Sequence, residues 1–213
     1  PGKEYVESLL KPVFYDQKKY LFEAMFQIHK AHTTMLCEQG ILKKSEADKI
    51  LEGVQEIEQK GKADLEYSPQ YEDLFFLVES RIGDLIGEDL AGKMHIAKSR
   101  NDMGEAMYRI VLRTYLQQTI DHTKALADAI LYQAEQHVES IMPAHTHTQP
   151  AQPTTFGHYL VAIYDGLCRD INRLENAYTT VNQSPMGAAA ITTTGFNINR
   201  ERMVELLGFD GLV

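Results

Sequence analysis

Between residues 156 and 181 the apolar side chains Phe156, Leu160, Ile163, Leu167, Ile171, Leu174, Tyr178 and Val181 recur at alternating steps of three and four. That spacing places two positions per heptad on one helical face, the seam of a helical bundle. The prolines set where other helices can run, because a ring inside a helix removes a donor and clashes with the preceding turn. They stand at Pro1, Pro12, Pro69, Pro143, Pro150, Pro153 and Pro185, so 13–68 and 70–142 are uninterrupted.

Helical patterns fill those windows. One helix is predicted over 13–39, stopped by Gly40, and a second from an N-cap at Ser45 to about residue 59, before Gly61. A third covers 72–86, and a long fourth runs from about 102 to 139 with Leu112, Leu116, Ile120, Leu126, Ile130, Ala134 and Val138 among its apolar positions. A loop with three prolines precedes the seam helix. Residues 184–199, rich in Gly, Ala and Thr, read as a loop, and Asn199 caps a last short helix ending near Gly208. No period-two run and no internal repeat is found. The fold class is therefore all-α: an N-terminal helical domain over 1–98, then a central helical-bundle domain over 99–213. The latter is the first part of a long-helix bundle, truncated at its C-terminal side. The seam has one other helix of similar length to pack on, so further partners are expected from other subunits or from additional chain.

Composition narrows the function classes. Of 213 residues 44% are hydrophobic and 24% charged, which excludes collagen-like and disordered classes. Asp and Glu number 30 against 21 Lys and Arg, a formal charge of −9 without a basic block, which argues against nucleic-acid or acidic-membrane partners. No apolar run approaches a membrane span. Cys37 and Cys168 are too few for a disulfide framework and lack metal-ligand spacing, so they read as reduced core residues of a cytoplasmic protein.

Three polar stretches interrupt the scaffold. Lys98-Ser99-Arg100-Asn101-Asp102 opens the long helix, where a hydroxyl, a guanidinium, an amide and free N–H groups favour a carboxylate. A plain N-cap with a solvated Arg explains it as well, and Asp102 would repel an anion unless it caps the helix or meets a cation. The second is Met142 to Pro153, with His145 and His147 two apart beside Thr146, Thr148, Gln149 and Gln152. No nearby Cys and no third ligand support a metal there. A histidine in such a loop suits acid or base work, since its proton exchanges near neutral pH, although loop carbonyls also satisfy histidines. The third, Ser184 to Gly195, allows close backbone approach to a ligand or another helix. Its glycine spacing is not that of a dinucleotide-binding turn.

Taken together and in this order, the stretches resemble the fumarase/aspartase superfamily, and within it the argininosuccinate lyase branch, over nearly the whole chain. Ser99-Arg100-Asn101-Asp102 resembles the branch's Ser-Arg-Asn-Asp motif, and Thr146-His147-Thr148-Gln149 followed by Ala151-Gln152-Pro153 its Thr-His-x-Gln region. Ser184-Pro185-Met186-Gly187 and Asn199-Arg200-Glu201-Arg202 resemble its Pro-Leu-Gly loop and Asp-Arg-Glu helix start. The resemblance implies a cytoplasmic homotetramer around a central helical bundle, each active site drawing loops from three subunits. It implies an elimination that cleaves the C–N bond of argininosuccinate to give arginine and fumarate, with no metal or organic cofactor. Ser99, Arg100 and Asn101 would hold substrate carboxylates, Thr146 and Gln149 would bind the succinyl part, and His147 would be the catalytic acid or base.

The sequence departs from the branch at four places: Phe75 stands where His is usual, Met103 where Gln is, His145 where Tyr is, and Ala189 where small polar residues are common. The branch's flexible Gly-Ser-Ser-x-Met-Pro loop, with a serine and a lysine, does not occur in these residues. The chain is accordingly expected to be the N-terminal part of a longer lyase and inactive alone. Two other readings fit the same residues. One is a lyase acting on another N-succinyl compound, such as adenylosuccinate. The other is a non-catalytic structural protein of the same fold, for which Ser99, Arg100, Asn101 and His147 would have no use.

Overall fold

The computed structural model describes residues 2–213 and is built from helices with two small sheets. The first helical run, α1, covers 3–38: α-turns at Lys3–Tyr5, Lys11–Asp16 and Phe22–Glu38 alternate with π-turns at Val6–Leu10 and Gln17–Leu21. It starts well before residue 13 and passes through Pro12. The π-turn just ahead of that proline widens the backbone where the ring has no N–H to give. Gly40, at φ +69°, ends the run as its freedom from a Cβ allows.

Helix α2 is Lys44–Lys60. Its N-cap is Lys43 rather than Ser45: the Lys43 N–H donates to Glu46 Oε2 at 2.9 Å, and Glu46 also takes Lys93 at 2.6 Å. Helix α3 is Leu74–Ile86, capped by Asp73, which accepts from the Phe76 N–H. A short α4, Glu88–Lys93, was not legible in the sequence. Helix α5 spans Arg100–Gln136 and α6 spans Phe156–Val181, the latter with the bounds of the seam.

The proline-rich segment between them is not a loop. It is an antiparallel hairpin of β1, Ile141–Thr146, and β2, Gln149–Thr155, with Pro143 opposite Pro153 and a bulge between Pro143 and His145. A two-stranded ribbon has only edges, where proline's missing donor costs little. Strand β3, Gln183–Ser184, pairs in parallel with β4, Gly211–Leu212. Between them lies α7, Arg200–Leu207, capped by the Asn199 side chain on the Arg202 N–H and closed by left-handed Gly208, as predicted.

The chain forms two compact units, one up to Val111 together with Asn182–Val213, the other Leu112–Val181. The segment after α6 returns to pack with the N-terminal helices in the first of these units. In the first unit the C-terminal part of α1 enters the core: Met25, Phe26, Ile28 and Leu36 are fully buried among side chains of α2, α3 and the start of α5. Helix α7 is tied to it by a two-pronged Arg202–Glu38 pair, Nε to Oε2 at 2.8 Å and Nη2 to Oε1 at 3.0 Å.

The second unit is an antiparallel pair made by the rest of α5 and α6. Ile120, Ala127 and Ala134 are buried along one stripe of α5. Leu160, Leu167, Ile171, Leu174 and Tyr178 of the seam are half-buried, while Phe156 and Ile163 are exposed. At the hairpin end the helices nearly touch. The Gly157 N–H donates to the His137 carbonyl at 2.9 Å, and a Cβ on Gly157 would lie 2.7 Å from the Ala134 oxygen. Among the described residues no helix is long and apolar enough to cross a membrane.

Candidate active site

The N-terminus of α5 is a capping box. Ser99 Oγ accepts from the Asn101 N–H at 3.1 Å, and Asp102 Oδ1 accepts from the Ser99 N–H at 2.9 Å. The chain reaches this cap through Ala97, held at a left-handed φ of +59°. Asp102 therefore caps the helix, the arrangement under which it need not oppose an anion. Arg100 is half-buried and engaged. Its Nη1 donates to Asp73 Oδ2 at 3.0 Å and lies 3.1 Å from Glu72, and the guanidinium sits 5.1 Å from the centre of the Phe76 ring. Partial burial works against its charge, but the Glu72 and Asp73 carboxylates outweigh that and raise its pKa. The guanidinium is thus anchored through Nη1 by two carboxylates. Asn101 is exposed beside it. A cleft of about 340 Å³, lined by Phe75, Asp73, Arg100, Asn101 and Tyr108 among others, opens at this point.

Behind the cap lies a buried polar cluster that the sequence reading did not single out. Lys98 Nζ is 3.2 Å from His29 Nδ1 and 5.7 Å from the Phe75 ring centre. Phe75 stacks on His29 with centroids 5.9 Å apart and planes 21° from parallel. His32 Nε2 lies 2.9 Å from the Ile96 carbonyl and donates to it. His95 Nδ1 meets Glu79 Oε1 at 2.8 Å. Burial pushes Lys98 down to about 8, against the pull of Glu79 and Asp102. Burial, then the charge of Lys98, takes His32 down to about 3 and His29 well below its ordinary value. Both imidazoles are therefore neutral at pH 7, which leaves His29 Nδ1 free to accept from the Lys98 ammonium. A His–x–x–His pair on the apolar face of α1 was the signal available for this cluster.

The second candidate stretch is carried by the β1–β2 hairpin. Thr146 pairs with Gln149, so His147 and Thr148 form a two-residue turn, both with positive φ, +48° and +68°. Such turns are normally made by Asn-Gly or similar residues, and a β-branched Thr there is strained. Strain at an exposed tip suits a residue held for use rather than for packing. The flanking hydrogen bonds are local: Thr148 Oγ1 donates to the His147 carbonyl at 2.6 Å, and His145 Nδ1 lies 3.1 Å from the Pro143 carbonyl. Thr146, His147 and Gln149 are all exposed. Ser99, Arg100 and Asn101 belong to the first compact unit and these three to the second.

The third stretch belongs with the first. Ser184, Met186 and Gly187 are buried, and the N–H groups of Gly187 and Ala189 both donate to Asp102 Oδ2, at 3.3 and 2.8 Å. Arg200 Nε donates to the Met186 carbonyl at 3.0 Å. Of the four departures from the branch pattern, Phe75 and Met103 are core residues of the first unit, Ala189 sits in the turn on Asp102, and His145 is on β1.

Comparisons with known proteins agree with one another. The Lyase family profile matches residues 13–213. The argininosuccinate lyase of Methanosarcina barkeri is 46% identical over 195 residues, 92% of this chain and 39% of its own length. That of Methanocaldococcus jannaschii is 43% identical over 211 residues, 99% of this chain and 43% of its own. Among solved structures, an EDDS lyase in complex with formate superimposes with a TM-score of 0.86 at 36% identity, covering all of this chain and 42% of that one. The chain thus spans about two-fifths of the length of the relatives it matches. It belongs to the Lyase family, within the fumarase/aspartase superfamily that its motifs indicated.

Proposed function

We propose that the protein of which these residues are part is an argininosuccinate lyase, a carbon–nitrogen lyase that releases arginine and fumarate. The observation that carries the reading is the pairing of a capped helix terminus with a carboxylate-anchored guanidinium at Ser99-Arg100-Asn101, in a chain 43–46% identical to argininosuccinate lyases. A neighbouring EDDS lyase variant of 36% identity carries bound fumarate, which supports the same product half.

In this reading the proton leaves the carbon next to a substrate carboxylate, negative charge builds on that carboxylate, and the C–N bond breaks with its electron pair going to nitrogen. The double bond of fumarate forms and the departing amine takes up a proton. Ser99, Arg100 and Asn101 are donors aimed at the carboxylate where charge accumulates, an effect worth several kcal/mol in a dry site. Thr146 and Gln149 bind the succinyl part. His147 is the acid or base of the network, its place on a tight hairpin turn letting a short loop carry it into a site shared between subunits. The substrate carboxylate serves as electron sink, so the chemistry calls for neither a metal nor an organic cofactor. Residues 1–98 act as the N-terminal domain and 99–213 as the start of the bundle in a cytoplasmic homotetramer. A lyase for another N-succinyl compound is the second reading, favoured by the EDDS lyase likeness.

The test is His147→Asn in the full-length enzyme. We expect kcat to fall by roughly 10²–10⁴, the usual contribution of a positioned acid or base, with helicity and subunit assembly unchanged. Parent-like turnover by the variant would remove His147 from the mechanism.

A further inference from the structure

We infer that Asp102 is a positioning residue that locks the carboxylate-binding end of α5 to the Gly187–Ala189 turn; this rests on the lyase reading above. Its carboxylate is 6% exposed and accepts three backbone N–H groups from two segments far apart in sequence: Ser99 on Oδ1, Gly187 and Ala189 on Oδ2. A buried charge persists only when it is satisfied, and here the backbone satisfies it.

The turn is shaped for this. Gly187, Ala189, Ile191 and Thr193 all have positive φ, +95°, +50°, +78° and +65°. Left-handed residues at every second position curl successive N–H groups toward one point, a concavity that takes an anion. Three of the four are not glycine, so the turn stores strain that an external hold must offset. Asp102 supplies the hold on one side. Arg200 supplies it on the other, through the Met186 carbonyl and by packing so closely that a Cβ on Gly187 would sit 2.8 Å from its Cγ. One side chain thus fixes both the direction of the Ser99 N–H, hence the capping geometry that presents Arg100 and Asn101, and a turn that is distant in sequence. Asparagine has the same shape but a single acceptor oxygen. It can serve Ser99 or the turn, and its amide then points N–H groups at N–H groups.

Full-length parent and Asp102→Asn would be compared in argininosuccinate kinetics and in amide hydrogen exchange, with Lys44→Ala, an exposed change, as control. The expected result is a KM at least about tenfold higher per folded enzyme, with kcat changed less. Exchange at Gly187 and Ala189 should be at least about tenfold faster. Gly187→Ala, which disturbs the turn but leaves the Ser99 contact, should raise KM in the same direction. A lower melting temperature with an unchanged KM in both variants would make Asp102 a merely structural cap and overturn the inference. So would parent Gly187 and Ala189 amides that exchange as fast as exposed Ile191. A parent that releases no fumarate from any N-succinyl compound defeats the lyase reading instead, and exchange at the two amides then still tests the lock.

Discussion

Lys98, His29 and His32 are buried titratable groups, and their environment fixes how stability must vary with pH. Lys98 has a folded pKa of about 8 against an ordinary 10.5, so between those values the unfolded chain binds more protons than the folded one. Stability therefore rises with pH across that window, and below pH 8 the full burden of holding the charge applies, on the order of 3 kcal/mol. Replacing it by an apolar residue of similar length, Lys98→Met, should raise the urea midpoint at pH 7 and flatten the slope between pH 8 and 10. A lower midpoint together with an unchanged slope would contradict this account of Lys98. For His32 the folded value is about 3 against 6.5, so the unfolded chain again binds more protons, now between pH 3 and 6.5. Stability should fall on acidification from pH 6.5 to 5 by about 2 kcal/mol from His32 alone, before carboxylates titrate. His29 shifts the same way and adds to the loss. Denaturation midpoints at the two pH values check it, and equal midpoints would show that these rings are not held neutral.

At the scale of elements, two glycines separate close approach from mere helix interior. A Cβ at Gly157 would meet the backbone oxygens of Ala134 and His137 at 2.7 and 2.9 Å, and backbone cannot step aside. Gly157→Ala should therefore cost about 2 kcal/mol, seen as a drop of roughly 4 °C or more in Tm. Gly166, in the same helix, has only a side-chain nitrogen of Arg169 at 3.9 Å, so Gly166→Ala should stabilise by about 1 kcal/mol through helix propensity. Equal effects of the two would mean that α5 and α6 do not pack as described. The contrast also shows what sequence can and cannot reveal. The steps of three and four from Phe156 to Val181 marked α6 to the residue, and Asn199 marked α7, because periodicity and capping are local. The hairpin at Ile141–Thr155 was hidden by its three prolines, which forbid a central strand but not a two-stranded ribbon. Pro12 likewise suggested a helix start, where a π-turn lets α1 continue. The Ser99-Arg100-Asn101 and His147 motifs were legible as residue types. What could not be read was the cluster of His29, His32 and Lys98 or the three-way hold of Asp102, since these join positions far apart in the chain.

At the scale of the whole molecule, the chain invests its rigidity in placing a few donors. One unit buries the C-terminal part of α1 and presents the N-terminus of α5 beside a cleft; the other is a helical pair ending in a strained hairpin tip. Under the proposed lyase function those groups would share a purpose, eliminating fumarate from an N-succinyl amine. A site that reads a substrate's polar groups rejects an analogue that leaves buried donors unpaired, so the preferred amine should stand out by a large factor. Phe75 and Met103 are both packed in the core of the first unit, and Phe75 also lines the cleft beside Arg100. The most direct measurement is the catalytic efficiency of the full-length protein for fumarate release from argininosuccinate and from a panel of other N-substituted aspartates. Argininosuccinate should release fumarate with an efficiency orders of magnitude above the rest. No fumarate from argininosuccinate or from any member of the panel would contradict the lyase reading.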